Sequence, residues 1–140
     1  MSFKFPYQFR LVDNHKIPYP IVTIFLETIR GRRGFSFIMD TGADNLTLPY
    51  YMITLLGIKK ESLIKSESQG IGKELVETWE GKIIIDFCVR KFAIHCSFTD
   101  NNKTPFLLGK ENIFDHFNVF FDNDKQQTIF HERKNKSITK

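Results

Sequence analysis

Short runs of β-branched and aromatic residues, separated by turn-forming residues, recur along the whole chain and restrict it to an all-β fold. Residues 19–30 (YPIVTIFLETIR) and 33–40 (RGFSFIMD) flank the segment GRRG, which predicts a first hairpin with its turn at residues 31–34. Residues 81–88 (GKIIIDFC) and 91–98 (KFAIHCSF) predict a second hairpin, with its turn at residues 89–91.

One strand of the second hairpin has a clearly apolar face. Its residues Phe92, Ile94, Cys96 and Phe98 alternate with smaller or polar residues. Because successive side chains of a strand point to opposite faces of the sheet, we expect these four to face the core. Trp79, the single tryptophan, is expected in the core or in a dimer interface.

Two segments have the pattern of short helices. Residues 49–58 (PYYMITLLGI) begin with a proline and end near Gly57, with Met52, Leu55 and Leu56 on one side. Residues 111–117 place three apolar side chains on one face and predict a second helix, with His116 at its end. The polar stretch SESQGIGKE, residues 66–74, predicts the tip of a further hairpin.

Length and composition indicate one globular domain spanning residues 1–140, with an N-terminal extension at 1–18 and a frayed tail at 132–140. Apolar residues make up 41% of the 140 residues and charged residues 26%, which is ordinary for a folded protein. The net charge of +4 is modest and no platform of aromatic and basic residues accompanies it, so we predict no nucleic-acid partner.

The sequence gives no indication of a membrane or an oxidising compartment. Its longest apolar runs fall well short of the ~20 residues that span a bilayer, and the first ten residues lack the apolar core of a signal peptide. We therefore predict a cytoplasmic protein without a membrane partner, in which Cys88 and Cys96 are reduced. The spacings of His95, His116 and Cys96 match no zinc pattern, so we expect no metal and no cofactor.

A carboxylate stands where an apolar strand is predicted to end. Phe35 and Phe37 alternate with polar residues in GFSFIMDTGADNLTLP, residues 34–49, and the run then leads into Asp40. Desolvating a lone carboxylate is costly unless it is hydrogen-bonded or has a function. Thr41 supplies a hydroxyl, and Gly42 lets backbone N–H groups approach the carboxylate closely. Asp40 is therefore the candidate catalytic residue.

These residues resemble the catalytic motif of retropepsin-like aspartic proteases. The resemblance covers roughly residues 20–130 and includes DTGA at residues 40–43, SQGIGKE, which is similar to the flap, and PFLLGKENIF at residues 105–114. It implies a closed, acid-protease-like barrel of a single lobe with one or two short helices. It also implies that the LLG segment, residues 107–109, passes beside the catalytic loop. Lys110 and Glu111 stand where retroviral members usually have Arg and Asn, and Lys cannot form the bidentate contact of Arg.

The resemblance also implies site roles beyond Asp40. Thr41 and Gly42 would support the active site, while Ala43 and Asp44 would bind the substrate polypeptide. Gly70, Ile71 and Gly72 would form the tip of the flap, although a plain surface hairpin accounts for these glycines nearly as well.

Aspartic protease chemistry needs two carboxylates that share one proton, whereas this chain has one Asp-Thr-Gly. The remaining aspartates lack a following Thr-Gly or Ser-Gly; they are Asp13, Asp44, Asp86, Asp100, Asp115, Asp122 and Asp124. The sequence therefore predicts an aspartic endopeptidase that acts as a symmetric homodimer, with one Asp40 from each subunit. The alternative is a dimeric peptide-binding or scaffolding module of the same fold with little or no catalysis.

Overall fold

The structure is a computed structural model that describes residues 1–69 and 75–134. In these ranges the chain forms twelve strands, one α-helix and one 3-10 helix. The strands are β1 (Ser2–Pro6), β2 (Gln8–Val12), β3 (His15–Tyr19), β4 (Ile21–Thr28), β5 (Gly31–Met39), β6 (Leu46–Leu48), β7 (Ile64–Gln69), β8 (Leu75–Phe87), β9 (Arg90–Thr99), β10 (Leu107–Leu108), β11 (Phe117–Asp122) and β12 (Gln127–Glu132). The α-helix, α1, is Met52–Leu55, and the 3-10 helix is Lys60–Ser62.

A closed barrel of six strands forms the body of the molecule. The strands follow the order β4, β5, β10, β6, β9 and β8, and a pairing between Phe25 and Asp86 joins β8 back to β4. β7 extends the sheet beyond β8. The fold class predicted from the sequence, an all-β barrel of a single acid-protease-like lobe, is confirmed.

The barrel interior is filled by the alternating apolar positions of its strands. Val22, Ile24, Phe37 and Phe98 are fully buried, and Trp79 also lies in the core. The alternation predicted along β9 is confirmed, because Phe92, Ile94, Cys96 and Phe98 are its buried residues.

Cys88 and Cys96 are both free, buried thiols. Burial raises the pKa of the Cys88 thiol to about 12, with a smaller contribution from the nearby charge of Glu132, and it raises the pKa of Cys96 as well.

The first and last described strands meet in a second sheet. β1 pairs antiparallel with β12, which pairs antiparallel with β11. Phe5 and Phe130 join this sheet to the barrel, since the Phe87 ring lies 5.6 Å from the Phe5 ring and 5.0 Å from the Phe130 ring. Between β1 and the barrel, β2 and β3 form a two-stranded hairpin with its turn at Asp13 and Asn14.

Both hairpin turns begin earlier than the sequence indicated, by two residues in the first hairpin and by one residue in the second. The first turn is at residues 29 and 30, so the GRRG segment belongs to β5. Thr28 closes this turn, because its hydroxyl donates to the Gly31 carbonyl at 2.7 Å. The second turn is Cys88 and Val89, both with positive φ (53° and 60°). Two-residue turns of this kind usually contain Asn or Gly, and neither residue is present here, so the sequence predicted the hairpin but not the exact position of its turn.

One of the two predicted helices forms. α1 covers Met52–Leu55 and ends before Gly57, whose φ is +69°. The helix predicted at residues 111–117 is wrong, and His116 is therefore not at a helix end. Those residues form successive turns because Asn112 has a φ of +63°, and its side-chain amide donates to the Ala93 carbonyl at 2.7 Å. The His116 Nδ1 instead hydrogen-bonds the Asn112 carbonyl.

Candidate active site

The loop between β5 and β6 carries the candidate catalytic residue. Asp40 directly follows β5, and its N–H donates to the Leu108 carbonyl at 2.9 Å, which continues the pairing of β5 with β10. The Gly42 N–H donates to the Asp40 carboxylate at 2.9 Å, and the Ala43 N–H donates to the Asp40 carbonyl at 3.2 Å. The Asp40 side chain is therefore fixed by its own loop as well as by the strand.

Glycine at position 42 suits this arrangement. A Cβ there would lie 3.3 Å from Oδ1 of Asp40, which is a tight approach to the oxygen that the Gly42 N–H contacts. The lack of a side chain at Gly42 predicted that its N–H could approach the carboxylate closely. The structure confirms the contact between its N–H group and the carboxylate.

Strand β10 inserts between the two strands that the loop connects. It runs parallel to β5 and antiparallel to β6. Immediately after it, the N–H groups of Lys110 and Glu111 donate to the carbonyls of Ala43 and Asp44 at 3.1 and 2.9 Å. The predicted passage of residues 107–109 beside the loop is confirmed.

Gly109 is required for this crossing. A Cβ at this position would lie 2.5 Å from the Asn45 carbonyl oxygen and 2.6 Å from the Asp44 carbonyl carbon. Both neighbours are backbone atoms, which cannot move aside without displacing the loop. The sequence therefore encodes the crossing at two places, in the loop itself and in the glycine that passes over it.

The side chain of Lys110 adds one weak link to the crossing. Its Nζ lies 3.4 Å from Oδ1 of Asp44, whose side chain is 85% exposed. An exposed single-contact ion pair of this kind contributes about 0–1 kcal/mol. The loop is thus fixed chiefly by backbone hydrogen bonds, in agreement with the expectation that Lys110 forms a weaker tie than an arginine would.

The residues around Asp40 are open on the single chain. Asp40 and Ala43 are half-buried, whereas Thr41, Gly42 and Asp44 are exposed. The predicted flap tip, Gly70, Ile71 and Gly72, lies outside the described residues. The flanking strands are described, and β7 pairs antiparallel with β8 up to the pair Gln69 and Leu75.

Glu80 is a half-buried titratable residue that no sequence motif indicated. Its carboxylate accepts hydrogen bonds from Thr78, from Ser97 at 2.7 Å and, at the same distance, from Nε2 of His95. Burial raises the pKa of Glu80, but these hydrogen bonds outweigh it and leave the pKa below its usual value. The alternation of side chains along β8 and β9 could have predicted that these residues share one face of the sheet. It could not have predicted that they contact each other.

Neither a metal site nor a membrane-spanning helix is found in the described ranges. No group of three or more His, Cys, Asp and Glu side chains in residues 1–69 and 75–134 could hold a metal ion. Across the same part of the chain, every helix falls short of the length and apolar character that a membrane crossing requires.

The barrel, with its loop crossed by β10, has the fold of a single-lobe aspartic protease. A solved structure with this fold is that of a retropepsin-like aspartic protease from Rickettsia conorii, which superposes with a TM-score of 0.63 over 93% of this chain and 88% of that chain. The two sequences are 15% identical, so the similarity establishes the fold. No protein-family model and no curated protein sequence matches the chain.

Proposed function

We propose that this chain is an aspartic endopeptidase that hydrolyses peptide bonds as a homodimer. The observation that carries the proposal is the Asp40 carboxylate. This half-buried side chain accepts a hydrogen bond from the Gly42 N–H and lies on a loop of an aspartic protease fold. The fold by itself would not suffice, because one fold can serve several functions. The chemical argument comes from the intact Asp-Thr-Gly in the loop between β5 and β6, where β10 passes beside that loop.

The proposed reaction uses two Asp40 carboxylates that share one proton. The ionised carboxylate takes a proton from a water molecule, which attacks the carbonyl carbon of the peptide bond. The protonated carboxyl donates its proton to the carbonyl oxygen. The C–N bond then breaks as the first carboxyl passes the proton taken from water to the leaving nitrogen, while the second carboxyl takes back a proton from a hydroxyl of the intermediate, so that an amine and a carboxylic acid are released. Two carboxylates about 3 Å apart cannot both be ionised, which keeps one proton between them.

A second copy of the chain would supply the second carboxylate. The exposure of Thr41 on the single chain supports this proposal, because an interface residue must be accessible before association. In the dimer the two Thr41 hydroxyls brace the two loops against each other. The symmetry is two-fold, since the same loop then contributes to both sides of the contact.

The substrate polypeptide would lie along the loop. The Gly42 backbone runs beside it, Ala43 and Asp44 line the cleft, and the exposed Asp44 carboxylate accepts a hydrogen bond from the substrate main chain. Gly70, Ile71 and Gly72 would close over the substrate and exclude bulk water.

The proposal is tested by comparing the wild type with Asp40→Asn on a diverse peptide mixture, from acid to neutral pH, with products identified by mass spectrometry. Asp124→Asn is the matched control, since Asp124 is an exposed aspartate in the turn between β11 and β12. We expect cleavage by the wild type and the control but none by Asp40→Asn, because the amide cannot take up the proton.

Two outcomes would contradict the proposal. Cleavage that persists in Asp40→Asn would refute the role of this carboxylate. An absence of cleavage from a wild type shown to be dimeric in the same sample would favour the alternative, a peptide-binding module of the same fold.

A further inference from the structure

A cavity of about 250 Å³ lies between the β2–β3 hairpin and the barrel. On the barrel side it is lined by the apolar residues Ile21, Ile38 and Phe106, and on the hairpin side by Arg10 and Tyr19 among others. Typical sites for small-molecule ligands measure roughly 300–1,000 Å³. This cavity is therefore sized for one side chain of a larger ligand.

The floor of the cavity is continuous with the backbone that positions Asp40. Ile38 and Asp40 are two residues apart in an extended run, and their N–H groups donate to the carbonyls of Phe106 and Leu108, both at 2.9 Å. Residues spaced by two in an extended chain point to the same face and lie roughly 7 Å apart. A polypeptide reacting at Asp40 would therefore place a side chain within one or two residues of the cleaved bond at this cavity.

The hairpin is anchored at both of its ends. At its C-terminal end, the Pro20 carbonyl accepts a hydrogen bond from the N–H of Met39 at 2.8 Å, one residue before Asp40. At the other end the Tyr7 N–H donates to the Gln126 carbonyl, and the Tyr7 hydroxyl donates to Asn123, both at 2.8 Å. The hydrogen bond between Met39 and Pro20 places the C-terminal end of the hairpin beside the loop that carries Asp40, and the Tyr7 hydrogen bonds hold its other end against the turn between β11 and β12.

The hairpin brings a positive charge to an otherwise neutral cavity. The guanidinium of Arg10 stacks over the Tyr19 ring at 5.0 Å from its centroid. Of the described residues that line the cavity, Arg10 is the one with a charged side chain. A stacked guanidinium keeps its hydrogen-bond donors at its edge available to a carboxylate.

We propose that the β2–β3 hairpin determines substrate specificity, with the cavity taking an apolar side chain of the substrate and Arg10 selecting an acidic residue next to it. The inference rests on the proposed peptidase function and adds the class of substrate to it. Arg10 and Tyr19 lie far from Asp40 in sequence, and the hydrogen bond between Pro20 and Met39 brings them to the site.

Reversing the charge at position 10 tests this directly. Cleavage sites in a diverse peptide library are mapped by mass spectrometry for the wild type, Arg10→Glu and the control Lys16→Glu. Lys16 is a cation of the same hairpin, but it pairs with Leu11 whereas Arg10 pairs with Ile17, so the two cations lie on opposite faces. The same library is also passed over immobilised Asp40→Asn protein, with and without Arg10→Glu, and the retained peptides are identified.

We expect the wild type to favour an acidic residue at one fixed position near the cleaved bond, adjacent to an apolar one. Arg10→Glu should shift the ratio of acidic to basic residues at that position about tenfold toward basic, since an attraction becomes a repulsion at a largely exposed site. Lys16→Glu should leave the ratio unchanged. Retention on Asp40→Asn should show the same preference, and the same loss with Arg10→Glu.

An unchanged profile in Arg10→Glu, or an equal shift in both variants, would overturn the inference. Retention of acidic peptides that depends on Arg10, without any cleavage by the wild type, would refute the peptidase function and leave the specificity of the hairpin standing. An absence of both cleavage and selective retention would overturn both proposals.

Discussion

Replacing Gly109 by alanine should separate β10 from the loop that carries Asp40. The added Cβ would lie 2.5 Å from the Asn45 carbonyl oxygen and 2.7 Å from the Asp44 carbonyl oxygen, distances that real Cβ atoms essentially never show. The two segments must move apart, and the hydrogen bonds from the N–H groups of Lys110 and Glu111 to the loop should break first.

The magnitude follows from these two effects. Overpacking a tight contact costs about 1–3 kcal/mol, and each of the two broken hydrogen bonds costs about 0.5–1.5 kcal/mol, so the free energy of unfolding should fall by about 2–6 kcal/mol. For a chain of this length that corresponds to a decrease of about 6–24 °C in Tm. The natural stability of domains is only about 5–15 kcal/mol, so the change would be a large part of it.

Calorimetry or circular dichroism during heating, together with peptide cleavage, measures the effect. Gly81→Ala is the matched control, because its Cβ would lie 2.6 Å from an atom at the end of the Leu63 side chain, which can rotate away. We expect the control to remain within about 1 kcal/mol of the wild type. A Gly109→Ala protein as stable and as active as the wild type would refute the argument that this glycine is required by the crossing.

Two further predictions concern the pH dependence and the strain of the fold. The pKa of Glu80 is lowered from its usual 4.5 in the folded chain, so its carboxylate stabilises the fold above that pH, and this contribution is lost as the pH falls through the lower, folded-state pKa. The difference in urea-unfolding free energy between the wild type and Glu80→Gln should therefore shrink between about pH 6 and pH 3. A difference that does not change with pH would contradict this prediction. Val89 is a β-branched residue with a φ of 60°, and its side chain is 87% exposed. Val89→Gly should therefore relieve backbone strain without loss of buried surface and raise the free energy of unfolding by about 1 kcal/mol, whereas a lowered Tm would show that the turn is unstrained.

The sequence was sufficient to predict the features that depend on local pattern. Alternation of apolar residues identified the buried face of β9, and the apolar run before Asp40 identified the strand end at which the carboxylate stands. The resemblance carried by the LLG segment, residues 107–109, implied the crossing. These predictions succeeded because each depends on side-chain periodicity or on a short motif, and both are contained in a few consecutive residues.

The predictions that failed depended on partners distant in sequence. Residues 111–117 have a helical pattern, but Asn112 adopts a left-handed conformation and bonds to Ala93 on another strand. The first hairpin turn lies before the GRRG segment, and the N–H of Ile29 in that turn donates to the Leu55 carbonyl at 2.9 Å. In both places a contact made by tertiary structure outweighed the local preference.

The sequence by itself determined that the chain is an all-β domain with one Asp-Thr-Gly at the end of a buried strand. Only the tertiary structure decided that β1 pairs with β12, and that the β2–β3 hairpin lies beside the candidate active site. The physical reason is that pairing between distant strands depends on the whole set of buried surfaces and backbone hydrogen bonds that the chain can satisfy at once, and no short stretch of residues specifies that set.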